Sequence, residues 1–372
     1  MFNSGNLQVD KVSGNFLAGY KSRGNTLVVR LMKKRKRDIE LTVGYHGKPA
    51  SGVVFDAEHN QVYTVFSTSQ WMVCNDAPSD KATLDLKVIT ENDRDCVGSG
   101  VFVGKEPKDD RTVFSYVQYC ETPAYTYGFS IGKFNVAGHN GGSSAKVSLK
   151  YYGQRYSPDD LSHVFIETSA IMSFFERKSC VFYPLATYTQ VLIGNHYQEM
   201  AGFSVLKEEY GRMVLLDSTE VNLISHELAH QWWGNRITCK TWSHFWLKEG
   251  MATFMSAAFN EYRFGEKVYM ANIESYRKIY DGLKQAGKDR SLVYDDWSKA
   301  TPDDRKLVYF KGAYVIYQLR EKLGDEKFWK AIGFYSSKYN GGSVVTKDFQ
   351  RAMEESSGVS LQEFFNEWVY GN

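Results

Sequence analysis

Cysteine is scarce and disorderly in this sequence. The five copies, Cys74, Cys96, Cys120, Cys180 and Cys239, are widely spread, odd in number and nowhere spaced as Cys-x-x-Cys. That excludes a disulfide framework and a thiolate metal site and leaves buried or free thiols. Long apolar runs are missing too: no stretch approaches the roughly 18 residues that a membrane-spanning helix needs. The first thirty residues also lack the basic, apolar and small-residue order of a signal peptide. The expectation is a cytoplasmic protein with no membrane span. Nor is there an excess of one charge, since 45 basic and 43 acidic residues give a formal charge of +2. Nothing marks a nucleic-acid partner, and the densest basic stretch, Lys33 to Arg37, reads as a solvated strand end or turn. Proline is rare, at 7 residues, and there are no internal repeats or low-complexity segments.

The chain is rich in core-forming material. It is 43% hydrophobic, 24% charged and 15% aromatic, a globular balance, and 372 residues suggest two domains more readily than one. The two halves differ in period. From Asn6 to about Ser148, bursts such as "TLVVRL", "IELTVGY" and "ATLDLKVI" alternate apolar and polar positions between Gly, Asn and Asp turns, the pattern of antiparallel strands. After Tyr156, "SPDDLSHVFIETSAIMSFFERKSC" opens with capping chemistry and continues with apolar residues at helical spacing. Further helices are predicted over 218–233, 247–262, 310–323, 346–356 and 361–369, with a strand-like stretch over 187–206. The predicted fold class is therefore α+β: an antiparallel β-sandwich-like domain over 1–148, then a mostly helical domain over 149–372.

The chemistry concentrates in "SHELAHQWWGN", Ser225 to Asn235. His226 and His230 are four apart on a predicted helix, so both imidazoles leave the same face and can share one small ion, with Glu227 beside them. The bland alternative is two hydrogen-bonded helix histidines. A third ligand weighs against it: Glu249, eighteen residues beyond His230, sits among Phe245, Trp246, Leu247, Met251 and Phe254. A surface glutamate favoured by the helix dipole would also fit a first-turn position, but an unpaired carboxylate buried among those side chains is expensive, and coordination explains it. Two imidazoles and a carboxylate suit zinc with one open position. Glu227 is then free to act as general base toward water, which implies amide hydrolysis.

With these residues in place, the sequence resembles the aminopeptidase N type of zinc peptidases, a gluzincin family that includes leukotriene hydrolases. The glutamate within "WLKEG" and the run "HQWWGN" are similar to its zinc signature, and "WMVCNDAPSDKATLDLKV", "PAYTYGFSIGKF" and "FFERKSCVFYPLATYTQVLI" resemble segments leading into it. The resemblance implies one zinc per chain, a thermolysin-like catalytic domain and peptide substrates. Through "VYFKGAYVIYQLR" it also implies that Tyr309 hydrogen-bonds the oxyanion, although Phe310 stands where the family has glutamate. The family's Gly-x-Met-Glu-Asn segment, whose glutamate holds a free amino terminus, is not intact in "HYQEMAGFSVL". Alignment on the following glycine and apolar residue, Gly202 and Phe203, puts Glu199 on the anchor, whereas alignment on the methionine would put Ala201 there; the first also carries the apolar pattern that follows and is preferred. The loop before Cys74 is short, with Gln70 as the candidate for a second amine ligand. A two-domain form lacking the C-terminal helical domain is implied.

The leading expectation is a zinc aminopeptidase. The same hydrolysis with carboxypeptidase or endopeptidase polarity is the alternative, since the altered anchor segment weakens amine recognition. A non-catalytic scaffold is a third reading, which the presence of His226, Glu227, His230 and Glu249 together disfavours.

Overall fold

The computed structural model describes residues 1–32, 38–143 and 146–371. The basic run Lys33 to Arg37 lies outside them.

Alternating residues build the expected antiparallel sheets. Lys81–Glu91, Arg111–Pro123 and Val101–Lys108 form a three-stranded sheet, and Val53–Asp56, Gln61–Thr64, Phe129–Gly132 and Asp95–Gly98 form one of four strands. Leu86, Val88, Phe114 and Tyr116 from the first bury against Cys96 and Ile131 from the second, so the alternation of "ATLDLKVI" has one face in a sandwich core. Smaller antiparallel pairings, including Gln8–Gly14 with Leu41–His46, complete the N-terminal part.

The second half begins with a sheet and not with a helix. Asn135–Gly141, Val147–Gly153, Thr187–Leu192, Phe203–Leu206 and Gln198–Met200 lie side by side in that order. The boundary expected at 148/149 therefore falls inside the strand Val147–Gly153. The change to a helical period marks where helices start, and the first hairpin of this sheet lies before it, written in the same alternation as the strands ahead. The single strand-like stretch over 187–206 is likewise three strands, folded back where Gly202 takes φ +83 between Met200 and Phe203. An L side chain there is strained, and a Cβ would meet the Gly100 nitrogen at 3.2 Å.

The helices pack on this sheet around one large core. Two bear on the site: Asn222–Ala229, with the histidines, and Trp246–Phe264, buried without interruption from Trp246 to Asn260. The first starts later than the predicted Ser218, because Asp217 accepts from the backbone nitrogen and hydroxyl of Thr219 and makes a turn instead. Helices Glu266–Gln285 and Asp325–Lys338 are additional to those predicted. Near 310 and 366 the chain runs through π-helical turns, Leu307–Lys311 and Asn366–Tyr370. A second cluster, with Tyr63, Val65 and Val97 against Val191, Ile193, Phe203 and Val205, joins the β sandwich to the catalytic sheet. Among the described residues no helix is long and apolar enough to cross a membrane.

Candidate active site

His226 and His230 converge because one helical turn separates them, and Glu249 meets them from the first turn of the next long helix. The two Nε2 atoms stand 3.1 Å apart, and Glu249 Oε2 lies 3.4 Å from each. Both rings present lone pairs to this point. His230 Nδ1 lies 3.1 Å from the Trp233 carbonyl, which only accepts, so Nδ1 carries the proton and Nε2 does not. The Thr253 hydroxyl donates to the Glu249 carbonyl at 2.7 Å, leaving its oxygen to accept from His226 Nδ1 at 3.5 Å. Such partners fix ligand tautomers in metal sites.

Two bare lone pairs and a carboxylate oxygen facing one another repel unless a cation sits between them. The buried Oε2 of Glu249 has no hydrogen-bond partner, and the spacings match the roughly 3.3–3.4 Å edges of a tetrahedron with ~2.0–2.1 Å metal bonds. The donor set fits zinc.

Glu227, 4% exposed, extends from the same turn. One of its oxygens and one of Glu199 lie within 4.8 Å of each other and of a His230 nitrogen. Burial pushes the Glu227 carboxyl well above its usual range, and the neighbouring Glu199 and Glu249 push it further. A divalent ion is the countercharge this cluster calls for. Tyr309 lies in the π-helical turn Leu307–Lys311 with its ring stacked on His226, centroids 5.8 Å apart and planes 12° from parallel. Burial holds its hydroxyl protonated well past its ordinary range, reinforced by Glu249, so it remains a donor. π-Helical turns of this kind recur at functional sites.

These side chains line one cavity of about 830 Å³, within the usual range for ligand sites. His196 through Glu199 form one wall, at the edge of the five-stranded sheet. Gln231 and Asn235, part of the "HQWWGN" run but assigned no role from it, hold that edge. Gln231 donates to the Met200 carbonyl at 2.9 Å and accepts from the Gly202 nitrogen at 3.2 Å. Asn235 donates to the carbonyls of Glu199 and Met200 at 3.3 and 3.4 Å. Gln70 is not among the lining residues; Phe66 and Ser67 take that side, and Phe66 donates its backbone nitrogen to Gln198 Oε1 at 3.0 Å.

Lys248, the residue before Glu249, carries no motif signal in the sequence. It is 5% exposed, its ammonium 2.7 Å from Glu249 Oε1 and ion-paired with Glu199 Oε1. Burial alone would lower its pKa, but Glu199 and Glu249 outweigh burial and hold it charged.

A family model described as the Peptidase family M1 domain matches residues 165–368, more than half of the chain. The chain belongs to peptidase family M1. Aminopeptidase M1 of Arabidopsis thaliana is 24% identical over 313 residues, covering 80% of this chain and 35% of the relative. Aminopeptidase N of Lactococcus lactis subsp. lactis is 25% identical over 326 residues, covering 80% and 36%. Leucine aminopeptidase 2 of Aspergillus oryzae is 26% identical over 297 residues, covering 76% and 46%. The chain thus spans about a third to a half of the length of these M1-type relatives. In fold it is similar to the crystal structure of an M1 zinc metallopeptidase from Deinococcus radiodurans, with a TM-score of 0.84 at 21% identity, covering 100% of this chain and 85% of that one. A mutant of that enzyme bound to a Tyr-Ser-Ala substrate matches equally well.

Proposed function

We propose that this M1 chain is a zinc-dependent peptidase that hydrolyses peptide bonds, with aminopeptidase polarity the reading its named relatives favour. The observation that carries it is the convergence of His226, His230 and Glu249 on one point, with Glu227 beside it, in a cavity walled by an open sheet edge. When bound, zinc supplies a Lewis acid that makes water nucleophilic near neutral pH and polarises the scissile carbonyl.

The chain's own groups do the rest. The stretch from His196 to Glu199, which walls the cavity, offers backbone groups to an extended peptide lying along it. Glu227 takes the proton of the attacking water and hands it to the departing nitrogen. Tyr309 donates to the oxyanion that forms on the carbonyl. Glu199 also lines the cavity and is the group that the aminopeptidase reading would set against a peptide's amino terminus.

Glu227→Gln should keep zinc near one equivalent per chain yet lose at least about three orders of magnitude in turnover, because the general base is gone. Metal analysis beside a peptide assay checks this. A variant that turns over at the parent rate would end the assignment. Carboxypeptidase or endopeptidase polarity uses the same groups, and the ion pair of Lys248 with Glu199 favours considering it.

A further inference from the structure

Glu199 is already occupied. One carboxylate oxygen, Oε1, is ion-paired with the Lys248 ammonium while accepting no hydrogen bond, and the other accepts from Gln198 Nε2 at 3.1 Å. Lys248 has little freedom to leave, since Glu249 Oε1 holds it at 2.7 Å and the rings of Phe245 and Tyr125 lie 5.0 and 5.2 Å from its nitrogen. A substrate ammonium arriving at Glu199 would have to share the carboxylate with a like charge in a buried site or displace Lys248, and either is unfavourable.

We propose that Lys248 fills, on Glu199, the position a substrate's terminal ammonium would take, so that the site accepts peptides whose amino end is blocked or continues as chain. This rests on the hydrolytic reading above and narrows its substrate class. Lys248 is a specificity-determining residue here, and the substrate-side contacts pass to the wall formed by His196 through Glu199.

The test uses matched peptides, each made with a free and an N-acetylated amino end, given to the zinc-loaded chain and to Lys248→Gln and Lys248→Met. The parent should cleave the two forms with kcat/KM values within about tenfold of each other, and each variant should shift the ratio toward the free form, in KM more than in kcat. A parent that prefers free ends by more than about tenfold overturns the proposal whether or not the variants fold, as does a ratio that neither folded variant moves. A second measurement is independent of turnover: melting temperatures of zinc-loaded Glu199→Gln, Lys248→Met and the double variant. The double should lose less than the two singles together, and additive losses overturn the pairing. A zinc-loaded parent that cleaves neither form contradicts the peptidase reading instead, and the melting cycle then decides the pairing by itself.

Discussion

At the scale of the residue, His226, His230 and Glu249 face one another because a single helical turn separates the histidines and the next long helix carries the carboxylate to them. Two histidines one turn apart need only a helix to share a face, and Glu249 needed only its apolar neighbours to look costly without a partner. Tyr309 carries no such mark among 25 tyrosines and entered through resemblance; the structure stacks it on His226. Tyr309→Phe removes a donor whose interaction strengthens as charge develops on the carbonyl. Turnover should fall roughly a hundred- to a thousandfold with KM little changed, as steady-state kinetics on one peptide will show. Lys248, Gln231 and Asn235 escaped notice for the opposite reason. Their partners Glu199, Met200 and Gly202 lie about thirty residues or more away, and no spacing rule connects a helix to a sheet edge at that distance.

Elements were readable by kind more than by outline. Period separated sandwich from helices, but it did not reveal that 187–206 holds three strands, because buried strands lose their alternation. Nor did it reveal the π turn at Leu307–Lys311, since a single turn widened by one residue barely disturbs an apolar pattern. One contact between elements governs the site. Gly250, next to Glu249, faces Gly312 just past the π turn so closely that a Cβ on Gly250 would stand 2.9 Å from the Gly312 backbone. Gly250→Ala must push these helices apart. The expected loss is about 1–3 kcal/mol, as for other overpacked contacts, accompanied by weaker zinc affinity because Glu249 moves with the helix. Chemical denaturation and a competitive zinc titration measure the two effects.

At the scale of the whole molecule, sandwich and catalytic half are tied by more than apolar contact. Lys81, at the start of the strand Lys81–Glu91, donates its ammonium to the carbonyls of Arg236, Gly342 and Gly341 at 2.7, 2.8 and 3.2 Å. Arg236 directly follows the "HQWWGN" run, so this tie reaches the rim of the site. Lys81→Met would take this donor from the Arg236 and Gly341 carbonyls, while Gly342 keeps the Thr238 nitrogen at 3.1 Å, at a cost of about 1–3 kcal/mol. Thermal unfolding should show an earlier transition, and limited proteolysis should cut more readily near Gly341 and Gly342. Two domains could be anticipated from length and period, whereas a lysine clasping a distant loop could not, because composition does not reveal pairings across 155 residues or more.

The hold of Gln231 and Asn235 on the sheet edge bears on anyone wishing to transplant this chemistry. The pentapeptide "HELAH" grafted onto a foreign helix would carry the ion's nitrogens and the base but leave behind the grip on the peptide. The two amides that supply the grip come one and five residues after His230 and act on a strand that a borrowed scaffold would not have. The smallest portable unit is therefore the histidine helix, the helix that brings Glu249 to it, and the hairpin that the two amides brace.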